Sequence, residues 1–460
     1  MSAAGVLSAV FWGVVTLSLL VFVHEGGHYL AARAFGVRVT EFFLGMPCRA
    51  RLSRKLERYG TEVGVTPILL GGYTRICGME GEQDELLARA FSVVQREGRV
   101  SAAALADELG CDVDRSYGLL ATLSDWAAIR PYYDASKGER ESQGAYPEQF
   151  ETLRRDAAFL TEYDRAHDFS QPGTTGAGDP RPLDCDAEAA LERERARTYL
   201  GCGFWKRVCM LVAGPLVNVA LAFVLAVSAF CVVGQQVVVD SNVIASVTEG
   251  SLADEAGLEA GDAIVRIGDA EVTDWSDLVD AVRQYLTPGS SVEVGFVRDG
   301  EAMTTTIEVS EGEGQLLGVN AQTTTYRPGV LEASRWAVDY AGLVATFAAR
   351  LIVPTQTMQV LDSSTSIVGI SVMASQAASQ GPMSVVSLLA AISMSLGFMN
   401  LLPIPPLDGG KILIEVIQAA MRRPLSVRAQ SVVSYVGIAF FAFVFVVVLR
   451  NDVSRLLIGW

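Results

Sequence analysis

Four long stretches without charge constrain this chain more than any other feature. A helix that crosses a bilayer needs roughly 20 consecutive, mostly apolar residues. Gly5 to Val23, Val208 to Val233, Pro382 to Leu402 and Val432 to Leu449 contain no Asp, Glu, Lys or Arg. In hydrocarbon every backbone N–H and C=O must find a partner within the segment, so such runs read as spanning helices. The expected fold class is a polytopic α-helical membrane protein with four spans. A secretory signal peptide is the competing reading of the first run. It calls for a basic n-region and a small-residue cleavage site. The opening MSAAG has no basic residue.

Basic residues close to span ends mark the cytoplasmic side. Arg33, Arg38, Arg49, Arg51, Arg54, Lys55 and Arg58 follow the first span, and Lys206 and Arg207 precede the second. Lys411, Arg422, Arg423 and Arg428 lie between the third and fourth. This pattern predicts an extracytoplasmic N-terminus, 35–207 inside, 234–381 outside and 411–431 inside. The expected localisation is the bacterial cell (inner) membrane, with the lipid bilayer itself as one partner.

Between the spans the composition changes. After the first span (1–35), residues 36–79 read as short strands and turns, a membrane-associated β segment. Its GGYTRICGM stretch places Gly71 and Gly72 ahead of a strand, where paired glycines permit close backbone approach. An edge strand there could pair with an extended substrate. Residues 80–168 are polar and rich in both signs of charge. A helix, SAAALADELG turning at Gly110, a second helix and a β wing resemble a winged helix-turn-helix. DNA binding would require a basic recognition face. The second helix instead sets Arg115 against Asp112, Asp114 and Asp125, and the whole chain carries a net charge of −16. Both argue against a nucleic-acid partner and for a regulatory insert with a cytoplasmic protein partner. Residues 169–198 read as a flexible linker by composition, leading to the second span (199–234).

Residues 235–325 alternate short β-rich runs with turns. Strand Ala263–Ile267, helix Trp275–Tyr285 and a hairpin on Asp299-Gly300 follow in order. This arrangement resembles a circularly permuted PDZ domain of the type attached to bacterial envelope proteases, an extracytoplasmic α/β unit. Residues 326–381 read as an amphipathic connection, 382–410 as the third span, 411–431 as a cytoplasmic loop and 432–460 as the fourth span with the C-terminus.

Chemistry concentrates in VFVHEGGHYL, residues 21–30. His24 and His28 stand one helical turn apart on one face and can hold one metal ion, with Glu25 beside it as a general base. Ionisable groups at membrane depth cost several kcal/mol and are rare there without a task. The chain has only three histidines, and its seven cysteines form no CxxC pair. A histidine–carboxylate site favours Zn2+ as the cofactor. A catalytic zinc usually has three protein ligands and one open position. In SLGFMNLLPIPPLDGGKI the acid Asp408 lies beyond Pro403, Pro405 and Pro406, which break the helix. Broken backbone at membrane depth is tolerated only in protein or along a cavity.

HEGGH in the first span, the stretch Ala213-Gly214-Pro215-Leu216-Val217-Asn218 in the second and NLLPIPPLDGG in the third together resemble the site-2 protease family of intramembrane zinc metalloproteases. Within it they are most similar to the bacterial regulators of sigma-E protease. The resemblance covers 1–80 and 199–460; the insert lies outside the core pattern, and one PDZ-like unit stands where some relatives have two. It implies His24, His28 and Asp408 as zinc ligands and Glu25 as the catalytic base and acid. It implies Asn400, with Pro403 of the same Asn-x-x-Pro motif, in substrate binding or oxyanion support, and single-span membrane proteins such as anti-sigma factors as substrates. Two other classes make different demands. An inactive membrane scaffold, binding partners through the PDZ-like and winged-helix-like parts, would carry a damaged His-Glu-His set, and this one is complete. A transporter would repeat its spans, and no repeat is visible.

Overall fold

A computed structural model describes residues 2–69, 71–79, 84–134, 136, 147–310, 316–423, 425 and 427–458. The expected segments 80–168, 235–325, 411–431 and 432–460 each include residues outside this set, among them 80–83 at the start of the insert. The chain forms two compact units, residues 1–226 with 336–460, and residues 227–335.

The first unit opens with α1 (Ala3–Ala34), whose N-terminus is capped by the Ser2 hydroxyl accepting from the Gly5 amide. The next strands are β1 (Val39–Leu44), β2 (Leu52–Lys55), β3 (Glu62–Val65) and β4 (Gly72–Ile76). They make one sheet in the order β2-β3-β1-β4, with β1 parallel to β3 and antiparallel to β4. Among the described residues the second edge of β4 is therefore unpaired within this sheet.

The insert contains α2 (Leu87–Glu97), β5 (Arg99–Ser101), α3 (Ala102–Leu109), α4 (Val113–Asp125), β6 (Ile129–Tyr132) and β7 (Gln149–Thr152). Gly110 closes α3 in the left-handed conformation and Asp112 caps α4. The strands pair in the order β5-β7-β6, and Phe91, Leu105, Leu120, Leu123 and Phe150 form the core. Residues 169–198 do not hang free as composition alone suggested. They carry α5 (Ala187–Arg195), whose Ala190 and Leu191 join that core. The polar stretch before α5 also packs back, with Thr175 and Arg155 exchanging backbone hydrogen bonds.

A buried ionic network ties the insert to the sheet. Arg38 donates to both Asp164 oxygens at 2.7 and 2.8 Å and to Glu194 at 2.6 Å; Glu194 also accepts from Arg155 at 2.9 Å. Arg38, Arg155 and Glu194 are fully buried. Burial pushes the Asp164 carboxyl up, but the Arg38 guanidinium outweighs it and holds the group below the usual carboxylate range. Glu194 is likewise pushed up by burial and carried below its ordinary value by Arg155 and Arg38.

The second span is α6 (Phe204–Val232), with Pro215 inside it. In the second unit come β8 (Gln235–Val238), β9 (Ile244–Val247), α7 (Leu252–Glu255), β10 (Ala263–Ile267), β11 (Ala270–Glu271), α8 (Trp275–Tyr285), β12 (Ser291–Arg298), β13 (Glu301–Glu308), β14 (Val319–Ala321) and β15 (Thr323–Tyr326). Its main sheet runs β11-β10-β12-β13 over a core of Ile264, Ile267, Leu278, Val294 and Phe296. The β12–β13 turn falls on Asp299-Gly300, both at positive φ, as that dipeptide demands.

The segment expected as an amphipathic connection folds into α9 (Val330–Arg350), α10 (Pro354–Ser363) and α11 (Ile367–Gln380). In the first unit α11 lies along α1, with Ser375 and Ser8 hydroxyls 2.7 Å apart. The third span is α12 (Pro382–Asn400), followed by α13 (Asp408–Met421) and α14 (Val427–Ile458). The helices α1, α6 and α12 and residues Ala429–Ser454 of α14 are long and apolar enough to cross a membrane.

Candidate metal centre

Three helices build the centre. α1 carries His24 and His28 on one face, the four-residue spacing bringing their rings to a 4.9 Å centroid separation. The prolines that end α12 force a new start, and Asp408 is the first residue of α13. Its Oδ2 lies 3.0 Å from His24 Nε2 and 3.2 Å from His28 Nε2, and the two ring nitrogens are 3.2 Å apart. All three residues are buried. Among the described residues this is the one group of histidine, cysteine or acid side chains placed to hold a metal ion.

The chemistry of the donors fits a cation. His28 Nδ1 donates to the Met210 carbonyl of α6 at 2.8 Å, which leaves a lone pair on Nε2 of the neutral ring. That lone pair faces a carboxylate oxygen and a second imidazole nitrogen. Acceptors crowded this closely repel unless positive charge stands among them. Four ligands about 2.0–2.1 Å from a tetrahedral zinc would be separated by about 3.3 Å, close to the spacing found here.

Close approach of α1 and α6 depends on glycine. A Cβ built at Gly27 would stand 2.5 Å from the Ala213 carbonyl oxygen and 2.9 Å from Gly214 Cα. One built at Gly214 would overlap His28 Nε2. Gly26 faces only the Phe42 ring, at 3.9 Å. Of the two mid-helix glycines, Gly27 is thus the one that lets the helices touch. On the far side, Glu415 of α13 meets Arg207 and the Tyr199 hydroxyl, each at 3.1 Å, and ties the Asp408 helix to the foot of α6.

Glu25 is half-buried beside His24. β4 passes next to it: Thr74 donates to the Glu25 carbonyl at 3.0 Å, and a Cβ built at Gly72 would lie 3.5 Å from Glu25 Cγ. Gly71 is one step further along, its carbonyl accepting from the Gly45 amide at 2.7 Å. Asn400 closes α12 and is half-buried; Pro403 is exposed in the break that follows. The four expected substrate contacts thus lie in two places, at the start of β4 and at the α12–α13 break. Asn218, quoted within its motif but given no role by sequence reasoning, is fully buried against His24, with Nδ2 3.4 Å from His24 Nδ1.

Helices long and apolar enough to span a membrane thus bring two histidines and an aspartate within reach of one metal ion. Peptidase family M50 matches residues 12–444, and the chain belongs to that family. It is 28% identical to the zinc metalloprotease RasP of Shouchella clausii, over 96% of this chain and 98% of that protein. It is 26% identical to the regulator of sigma-W protease RasP of Bacillus subtilis, over 96% and 97%. A putative zinc metalloprotease of Lactococcus lactis is 25% identical, again over 96% and 97%. The protein is a multi-pass membrane zinc metalloprotease of the site-2 type, and its cofactor is Zn2+.

Proposed function

We propose that His24, His28 and Asp408 hold the zinc ion and that Glu25 is the catalytic carboxylate. The reaction is hydrolysis of a peptide bond within the transmembrane segment of a single-span protein. The observation that carries this reading is the convergence of three buried donor atoms from sequence positions 384 residues apart. Bound zinc supplies Lewis acidity at the scissile carbonyl and makes water a stronger acid. The Glu25 carboxylate accepts a proton as water oxygen bonds to the scissile carbon. The same proton passes to the amide nitrogen as the C–N bond breaks, giving a carboxylate and an amine.

An intrahelical carbonyl is already hydrogen-bonded, so the substrate must unwind before it reacts. The unpaired edge of β4, beginning at Gly72 beside Glu25, is suited to hold the unwound stretch as an added strand. Gly71 and Gly72 keep that approach open. Asn400 and Pro403, at the α12–α13 break, are the second pair of substrate contacts, the Asn400 amide meeting the substrate backbone or the developing oxyanion.

The remaining assignments rest on composition and element order. Residues 235–325 act as a PDZ-like docking or filtering domain outside the cell membrane. The 80–168 insert acts as a winged-helix-like unit inside, recruiting a cytoplasmic protein. The basic flanks of the spans support that orientation. The name regulator of sigma-W protease, borne by the Bacillus subtilis relative, supports an anti-sigma factor as substrate class.

The test is cleavage of a tagged single-span reporter in membranes by the parent and by Glu25→Gln. The parent should cut within the span, and the variant should retain zinc but lose at least ~100-fold in rate. Equal cleavage by both would remove Glu25 from the chemistry.

A further inference from the structure

The two histidines of the centre are not held alike by sequence, yet both turn their outer nitrogen to α6. His28 Nδ1 donates to the Met210 carbonyl. His24 Nδ1 meets the side chain of Asn218, two turns further along the same helix. We propose that Asn218 is a positioning residue: its amide oxygen accepts the His24 Nδ1 proton and so fixes the tautomer and ring orientation in which Nε2 faces the metal. The inference rests on the metal-ligand reading above and adds a residue to it.

A neutral imidazole that ligates through Nε2 carries its proton on Nδ1, and a buried N–H without an acceptor is costly. The only polar side chain at hydrogen-bonding reach of His24 Nδ1 among the described contacts is the Asn218 amide. Nδ2 lies towards the ring, and the oxygen and nitrogen of an amide exchange places by a half-turn. The Oδ1 atom is buried with no hydrogen-bond partner among the described residues, so the half-turn breaks none that the oxygen makes. Asn218 is fully buried, and its own carbonyl accepts from the Ser393 hydroxyl at 2.8 Å, which fastens it to α12. α12 is also the helix that leads to Asp408. Asn218 is thus held by the element that positions the third ligand while it orients the first. Partners of this kind on metal-bound histidines typically control about 10- to 100-fold in metal affinity.

The experiment measures zinc affinity of the full chain in detergent by competition with a chromogenic chelator. Parent, His24→Ala, Asn218→Ala, Asn218→Leu and Asn218→Asp are compared, with the unfolding temperature of each metal-free form as a check on folding. Asn218→Ala and Asn218→Leu should bind zinc about 10- to 100-fold more weakly. Asn218→Asp, which keeps an acceptor at the same place, should restore affinity to the parent's or better. Parent-like binding by Asn218→Ala overturns the proposal. So does equal loss in all three Asn218 variants, because that would mark a packing role with no dependence on the acceptor. If His24→Ala binds zinc as tightly as the parent, the ligand assignment itself fails and the proposal falls with it. If His24→Ala alone loses the metal, the ligand assignment stands and only the role of Asn218 falls.

Discussion

Replacing Gly214 by alanine sets two effects of opposite sign against each other. Alanine is the better helix former by about 1 kcal/mol, so a glycine held in a spanning helix for no reason would gain stability by the change. At this position the new methyl would overlap His28 Nε2 and stand 2.7 Å from Cε1 and 2.8 Å from Cδ2. Carbon atoms rest about 3.5 Å or more apart, so the imidazole must retreat by roughly 0.7 Å or more. Metal–ligand distances tolerate only about 0.2 Å. The ring is the part that can yield, since the opposing backbone is fixed by the α1–α6 contact at Gly27. On the proposed ligand set, His28 then leaves bonding range and one of three ligands is lost. Zinc affinity should fall by at least ~100-fold, more than for a partner outside the ligand set. The metal-free form should unfold at or above the parent's temperature. Chelator competition and thermal unfolding on the same preparations give both readings. Parent-like zinc affinity in Gly214→Ala would refute the argument that α6 seats His28 through the absence of a side chain.

The neighbouring glycines make a matched pair. Gly27→Ala drives a methyl into the Ala213 backbone and should cost about 1–3 kcal/mol, whereas Gly26→Ala meets only Phe42 and should be neutral or stabilising by about 1 kcal/mol; thermal unfolding of the two variants checks the order. Glu194→Gln leaves Arg38 and Arg155 short of a counter-charge and should cost about 3–5 kcal/mol, read as faster limited proteolysis of 84–198. The folded-state pKa values of Asp164 and Glu194 lie below their unfolded values. Their contribution is therefore complete above about pH 5 and declines as pH falls through and below about 4. The parent should lose insert protection over that range, and Glu194→Gln should show a shallower fall.

Features that depend on neighbours along the chain are legible in the sequence. Four apolar runs became four helices because the bilayer leaves backbone groups no other solution. HExxH announced its face because a helix brings residues four apart together whatever surrounds it. Asp299-Gly300 and Trp275–Tyr285 fell where local turn and periodicity rules put them. Contacts between distant segments were not readable. Arg38, Asp164 and Glu194 are each ordinary surface residue types in the sequence, and only their convergence makes them a buried clamp. That convergence also explains why 169–198 reads as linker by composition yet folds: Glu194 is drawn in by two arginines outside its own segment. α11 read as part of a connection, because nothing in Ser371 or Ser375 reveals that α1 offers Gly13 and Ser8 to receive them.

The metal centre shows the same division. Its two histidines are a local pattern, but Asp408 gained its role from resemblance, and the surface that seats the rings could not be assigned from sequence at all. That surface is α6. It contributes no ligand, and its Ala213-Gly214-Pro215-Leu216-Val217-Asn218 stretch contains no metal-binding side chain. What it brings to the two rings is a backbone carbonyl at Met210, a missing side chain at Gly214 and, on the positioning role proposed above, an amide at Asn218. Each of these matters only because α1 crosses within contact of it. Geometry at a metal must be held to a few tenths of an ångström, and two histidines on one helix cannot hold themselves that closely. A helix that supplies no ligand but packs against both rings is therefore as much a part of the proposed centre as the residues proposed to hold the ion.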